Sequence, residues 1–171
     1  CQKEAFWLED YALFLACKDA NDGRSWLDWP DMYRSPSPEY KEELKQLLQK
    51  EAGYYKFLQF IFFTEWGRLK AYANEKGIQI IGDIPIFVSM DSADVWANKE
   101  LFHLDEKGYP LSVAGVPPDY FSATGQLWGN PLYAWDAHKR SNFSWWISRI
   151  RTQLKNLDIL RIDHFRGFDA C

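Results

Sequence analysis

The sequence predicts an α/β fold built from parallel βαβ units, and three observations lead there. Two short apolar runs, Ile78-Gln-Ile-Ile-Gly-Asp-Ile-Pro-Ile86 and Ile159-Leu-Arg-Ile162, read as strands, rich in β-branched residues and bounded by turn formers. Helical patterns precede both, over about 54–76 and about 144–157, and strands alternating with helices pair in parallel. Each run finishes with a carboxylate, Asp83 in the first and Asp163 just past the second, which would bring both acids to one rim of a sheet.

The elements follow in chain order. Residues 4–20 hold strong helix formers, with Phe6, Asp10, Leu13, Phe14 and Cys17 near one side, an apolar stripe containing one acid. Asn21-Asp22-Gly23 stops that helix. The aromatic stretch Ser25-Trp-Leu-Asp-Trp-Pro30 is expected to pack on the neighbouring helix rather than hold a ligand. Ser37 is an N-cap, Pro38 occupies the first helical position, and acids follow in the first turn. That helix continues through Leu44, Leu47 and Leu48 and is expected to end at Gly53. A longer one, from about Tyr54 to Lys76, repeats apolar residues at three and four (Phe57, Leu58, Ile61, Phe62, Leu69), with Lys70 and Lys76 towards its negative end. Gly77 sits where a left-handed cap belongs, and Pro85 halts the first strand.

Between the strands runs a long insertion, about 87–141, far beyond an ordinary βα connection. Asp91 and Asp94 read as the N-cap and first-turn acid of a short helix carrying Trp96. Asp105-Glu-Lys-Gly108 reads as a hairpin turn. From Ala114 to Tyr133, adjacent prolines and three glycines suggest shape without a strand ladder. Tyr120, Phe121 and Trp128 are large rings on this loop, the kind of segment that forms lids and binding loops. His103 and His138 read as surface or loop histidines, and Trp145 and Trp146 as helix-to-sheet packing.

Composition narrows the function classes. Net charge is −4 with no basic block, which disfavours nucleic acid as a partner. No apolar run is long enough to span a bilayer, and the N-terminus lacks a signal-peptide pattern. Three cysteines, Cys1, Cys17 and Cys171, form neither a disulfide framework nor a zinc pattern and suit a reducing cytosol or a plastid-like interior. Cys17 is expected to be a small buried hydrophobe. An aromatic share of 18% suits either sugar-stacking clefts or a ring-heavy core. Both chain ends look like cuts through a longer protein.

The second strand carries the densest chemistry. Arg161 and Asp163 are two residues apart and so face the same side. The guanidinium can hold the carboxylate ionised at the C-terminal end of a buried strand, where α/β barrels keep their chemistry. A purely structural ion pair is the equal alternative.

Gly82-Asp-Ile-Pro-Ile-Phe-Val, Asp91-Ser-Ala-Asp-Val-Trp-Ala, Gly115-Val-Pro-Pro-Asp-Tyr-Phe, Gly129-Asn-Pro-Leu-Tyr and Arg161-Ile-Asp-His-Phe-Arg-Gly-Phe, with the opening Glu4-Ala-Phe-Trp-Leu-Glu-Asp-Tyr, come in the order of a known family. The chain resembles the 4-α-glucanotransferases (amylomaltase, or disproportionating enzyme) of the α-amylase clan from end to end. The resemblance implies part of a (β/α)8 TIM barrel with long helical and loop insertions, incomplete within these residues. It implies transfer of α-1,4-glucan segments between maltooligosaccharide, starch or glycogen chains by retaining double displacement, in the cytoplasm or, in a plant, a plastid. Asp163 would be the nucleophile and Arg161 the residue keeping it ionised. His164 would hydrogen-bond the donor-side sugar, and Asp83 would hold hydroxyls or support the site. Asp119, Tyr120 and Phe121 match the lid over the acceptor side, and Trp128 an aromatic lining it. No metal or organic cofactor is implied. In the family the acid/base Glu and a further essential Asp come later than these residues reach. The remainder of the catalytic domain is therefore an implied partner, and this segment alone is expected to be inactive. Two other readings stand beside it, a non-catalytic carbohydrate-binding segment and a structural α/β segment.

Overall fold

The computed structural model describes residues 4–120 and 122–168, and divides into two compact units, residues 1–64 with 91–99 and residues 65–90 with 100–171. Cys1, Cys171 and Phe121 fall outside the described residues.

The first unit is helical. Helix α1 (Ala5–Ala20) buries Leu8, Ala12, Leu13, Phe14, Ala16 and Cys17. Phe6, expected in that stripe, is exposed, and the first buried side chain is Leu8, two residues on and towards the other side of the helix. The acid in the stripe, Asp10, is paired to Lys41 at 2.7 Å. Burial pushes the Cys17 thiol up to about 12, in keeping with a small hydrophobe. The helix ends on left-handed Asp22 and Gly23, and the Gly23 N–H returns to the Lys18 carbonyl at 2.8 Å. Trp26 and Trp29 are buried. Trp29 and Trp96 both pack on Phe14, with ring centroids 5.4 and 5.8 Å away.

After a short helix α2 (Asp31–Arg34), helix α3 (Pro38–Leu47) starts as expected, the Ser37 hydroxyl accepting from the Tyr40 N–H. Helix α4 (Gln49–Glu75) begins before Gly53 rather than after it. Helical bonding crosses the junction through Leu48 N–H to Leu44 and Ala52 N–H to Leu48 (both 2.9 Å). One interior glycine costs only about 0.5–1 kcal/mol, too little to break such a run. Within this unit α4 is tied to α1 by Lys56–Glu9 at 2.5 Å and by the Trp7–Phe63 ring pair. Helix α5 (Ala93–Ala97) corrects one expectation. Its N-cap is Ser92, which accepts from Val95, while Asp91 pairs with Lys18 and accepts the Trp26 N–H. Asp94 is the first-turn acid.

In the second unit α4 ends on Gly77 (φ 75°), with the Ile78 N–H bonded back to the Ala73 carbonyl, a Schellman closure. Strand β1 (Ile81–Ile84) follows and pairs in parallel with β4 (Ile159–Ile162), matching Ile81 with Ile159, Gly82 with Leu160, Asp83 with Arg161 and Ile84 with Ile162. The Asp158 carboxylate sets this register. It accepts from the Ile80 N–H and Asn74 Nδ2 (both 2.8 Å) and pairs with Lys70 at 2.6 Å. Lys70 therefore answers Asp158 as well as the helix end.

The burial expected of the second strand is not what is seen, and the first is open as well. Ile84 is buried, yet Ile81 is 64% and Ile159 43% exposed, since no further strand or layer covers that side among the described residues. The insertion also differs from expectation. Strands β2 (Val113–Val116) and β3 (Gln126–Pro131) form an antiparallel hairpin with an irregularity between Val113 and Gly115. The prolines lie in the connection, where they cost no ladder bond. At Gly115 a Cβ would stand 2.7 Å from the Gln126 carbonyl oxygen, so the bare backbone lets the strands close. The Asp105 turn is present, its N–H bonded to the Tyr109 carbonyl.

Helix α6 (Trp135–Arg140) contradicts the surface reading of His138, which is fully buried. Its Nε2 meets the Leu101 carbonyl at 3.1 Å inside a shell of Tyr133, Trp135 and Trp145 rings, and burial lowers its pKa. His103 is exposed, as expected. Helix α7 (Ser144–Asn156) carries buried Trp146, which packs with Tyr133 and Phe168. Much of the aromatic load is thus core in both units.

Candidate active site

The site begins at the third residue of each parallel strand. Asp83 on β1 and Arg161 on β4 are register partners and project to the same face. Arg161 grips Asp83 with two bonds, Nε to Oδ1 at 2.7 Å and Nη2 to Oδ2 at 2.5 Å, a bidentate fork. Its remaining nitrogen, Nη1, lies 3.6 Å from Asp163 Oδ1. The Arg161 pairing read from the sequence is therefore amended: Asp83 takes the direct bonds and Asp163 the longer Coulombic contact. The guanidinium holds the Asp83 carboxyl below the usual carboxylate range, and Asp83 in turn raises the Arg161 pKa, fixing its charge. Asp163 follows the last strand residue directly, and its side chain is 68% exposed, open to an approaching ligand.

Beyond Asp163 the chain turns sharply. His164 has φ 52°, a left-handed conformation uncommon for a residue with a side chain. Its ring stands edge-on to Trp128 with centroids 4.8 Å apart, and Trp128 in turn meets Phe87 at 6.3 Å. Two bonds hold β3 against the segment after β1: Asn130 Nδ2 donates to the Val88 carbonyl and the buried Tyr133 hydroxyl to the Ile86 carbonyl, both at 2.8 Å. That clamp brings Trp128, 37% exposed, to His164.

The geometry thus gathers Asp83, Arg161 and Asp163 into one charged cluster and His164 with Trp128 into an aromatic pair next in sequence. Asp119 and Tyr120, expected on the acceptor side, lie on the β2–β3 connection. Asp119 closes a turn there, accepting the Ser122 N–H at 2.8 Å, and Tyr120 is fully exposed. Phe121 lies outside the described residues. Sequence reasoning missed Asp158 and Tyr133 as supports. An acid immediately before an apolar strand was a legible sign for Asp158. Tyr133 carried none, because its bond to the Ile86 carbonyl spans 47 residues.

An ion cluster beside a ring pair at the ends of two parallel strands marks this as an α/β segment with a charged strand-end site, and comparison with known proteins narrows the class. A family model described as 4-alpha-glucanotransferase matches residues 1–171. The 4-alpha-glucanotransferase of Thermus thermophilus is 55% identical over 99% of this chain and 34% of its own length. The Solanum tuberosum enzyme, named 4-alpha-glucanotransferase, chloroplastic/amyloplastic, is 48% identical over 95% of this chain and 28% of its own. Among solved structures, the amylomaltase from Streptococcus agalactiae in complex with acarbose superposes with TM-score 0.90 at 48% identity, covering 97% of this chain and 34% of that one. The chain belongs to the 4-alpha-glucanotransferase family, and it spans about a third of the length of these relatives.

Proposed function

We propose that the full-length protein is a 4-α-glucanotransferase that moves α-1,4-glucan segments between maltooligosaccharide, starch or glycogen chains through a covalent glycosyl–enzyme intermediate. The observation that carries this reading is the Asp83–Arg161–Asp163 cluster at the C-terminal ends of two neighbouring parallel strands. Active sites of (β/α)8 barrels lie at that end, and the full-length fold is taken to be such a barrel.

In this mechanism Asp163 attacks the anomeric carbon of the donor sugar and breaks its α-1,4 bond. The departing glucan's 4-oxygen takes a proton from the acid/base. An acceptor 4-hydroxyl then gives that proton back as it attacks the same carbon and frees Asp163. Arg161 is anchored to Asp83 and presents Nη1 3.6 Å from the attacking carboxylate, orienting it without consuming both its oxygens. His164 donates to a hydroxyl of the bound sugar, and Trp128 offers it an apolar face. A retaining reaction needs a second carboxyl about 5–5.5 Å from the first, with a raised pKa. Asp83 is unsuited to that role, since its oxygens are engaged by Arg161 and its pKa is lowered. The acid/base is therefore assigned to the part of the full-length chain outside these residues, as the remainder of the catalytic domain. Asp119, Tyr120 and Phe121 form a lid that shields the intermediate from water until a sugar hydroxyl arrives. Two plant relatives are named chloroplastic/amyloplastic, which supports a plastid setting if the protein is from a plant; otherwise a cytoplasmic one is proposed.

The test is covalent trapping. The full-length protein treated with an activated fluorinated glucoside should carry the label on Asp163 in a digested peptide map. A label on another carboxylate, or none alongside measurable transfer activity, overturns the assignment.

A further inference from the structure

We infer that Asn130 is a positioning residue for Trp128: its side chain pins a bulge in β3 from which the indole reaches His164. The ladder shows the bulge. Val113 pairs with Pro131 and Gly115 with Leu127, so Ala114 of β2 faces residues 128–130 of β3, three residues opposite one. Such bulges re-aim side chains out of the regular alternation of a strand. Gly129, in the middle, has φ 79°, and a Cβ there would meet nothing within 4 Å. Glycine is required at 129 for its backbone conformation and not for room.

The bulged residues turn to the segment after β1. Asn130 Nδ2 donates to the Val88 carbonyl at 2.8 Å, while the Trp128 ring meets His164 and Phe87, the neighbour of Val88. Phe87 and Val88 are buried, and Phe87 stacks on Tyr133, whose hydroxyl holds the Ile86 carbonyl. The carbonyl that Asn130 uses therefore belongs to a fixed wall. The ladder pairs at Leu127 and Pro131 fix the two ends of the bulge, and the Asn130 amide ties its interior to that wall. A second bond, Trp128 Nε1 to Gln126 Oε1 at 3.0 Å, lies within β3 and sets the tilt of the ring on its own strand. How near the bulge stands to His164 depends on a tie to another segment, and Asn130 supplies one. The consequence for turnover rests on the glucanotransferase reading, whereas the placement of the ring does not.

The experiment uses the full-length protein. Asn130→Ala removes the donor, and Asn130→Asp keeps the shape of the side chain while replacing the donor by a carboxylate oxygen. Each is expected to lower kcat/KM on maltooligosaccharides by about tenfold, the scale of a small misplacement of a positioned group. Neither is expected to cost anything further in a Trp128→Ala background. With fluorotryptophan incorporated, the Trp128 resonance, identified by its loss in Trp128→Phe, is expected to shift in both variants while the other tryptophan resonances stay in place. Equal losses with and without the Trp128 ring, or an unmoved Trp128 resonance, overturn the inference. Failure of both variants to fold also overturns it, because the bond would then be a determinant of the fold. A wild-type protein without transfer activity overturns the functional reading alone, and the fluorine signal still decides the positioning.

Discussion

At the scale of single residues, Asp158 shows how one carboxylate sets the geometry that the site inherits. It stands before β4 and takes bonds from the Ile80 N–H, Lys70 and Asn74, which together hold its pKa down to about 2. In an unfolded chain the same group titrates near 3.9. A depressed folded-state pKa means the unfolded state binds the proton first, so this contribution is fully present above about pH 4 and is lost as the pH falls towards 2. Asp158→Asn should therefore lower the thermal midpoint at pH 7, where Lys70 loses its counter-charge. The gap between mutant and wild type should narrow as pH drops from about 4 to 2. Circular dichroism melts at several pH values check this, and a gap independent of pH would refute it. Arg161 makes the complementary point. The sequence spacing alone linked it to Asp163, because both lie on one strand, whereas its direct partner is Asp83 across the sheet. Spacing along a strand reports which side a residue faces, and only strand pairing reports what it meets there.

At the scale of elements, the glycines of α4 separate two physical roles that look alike in a sequence. Gly53 and Gly67 lie inside the helix, with nothing within 4 Å of a built Cβ, while Gly77 ends it at φ 75° with equally open space. Gly53→Ala and Gly67→Ala should each stabilise the protein by about 0.5–1 kcal/mol by removing backbone freedom from the unfolded state. Gly77→Ala should destabilise it by about 1–2 kcal/mol, because a left-handed alanine is strained. Chemical denaturation of the three variants tests the pair of signs, and an unharmed Gly77→Ala would discard the Schellman closure as a stop signal. The contrast also explains what was legible. Gly77 was readable because Lys76 and an apolar strand flank it, and Ser37-Pro38 because the cap chemistry is local. Gly53 was misread as a stop, since the bonds through Leu48 that override it appear only once the helix exists. The β2–β3 ladder was missed for a related reason: its Val-Ala-Gly-Val strand is weak alone and closes only because Gly115 admits the opposite backbone. His138 was misplaced because the carbonyl it meets belongs to Leu101, 37 residues earlier, and the Tyr133 and Trp145 rings close around it only in the folded chain.

At the scale of the whole molecule, the described residues leave a great deal of apolar surface uncovered. In the second unit Ile78, Ile81 and Ile159 are exposed beside a two-stranded parallel sheet. All-parallel sheets are normally covered on both faces, and their open edges invite association. In the first unit Tyr54, Phe57 and Ile61 stand exposed at helical spacing on one face of α4. The relatives are about three times as long as this chain. If their remaining length covers these faces, the 171-residue segment prepared alone should enhance the fluorescence of a hydrophobic dye such as ANS and associate as concentration rises. The full-length protein should do neither, and it alone should redistribute maltooligosaccharide lengths. Mixing the segment with a separately made remainder should quench the dye signal in proportion to complex formed. A segment that stays monomeric and dark to the dye would mean that its exposed isoleucines and aromatics are tolerated surface, and that the Asp83–Arg161–Asp163 cluster sits on a unit stable without the rest.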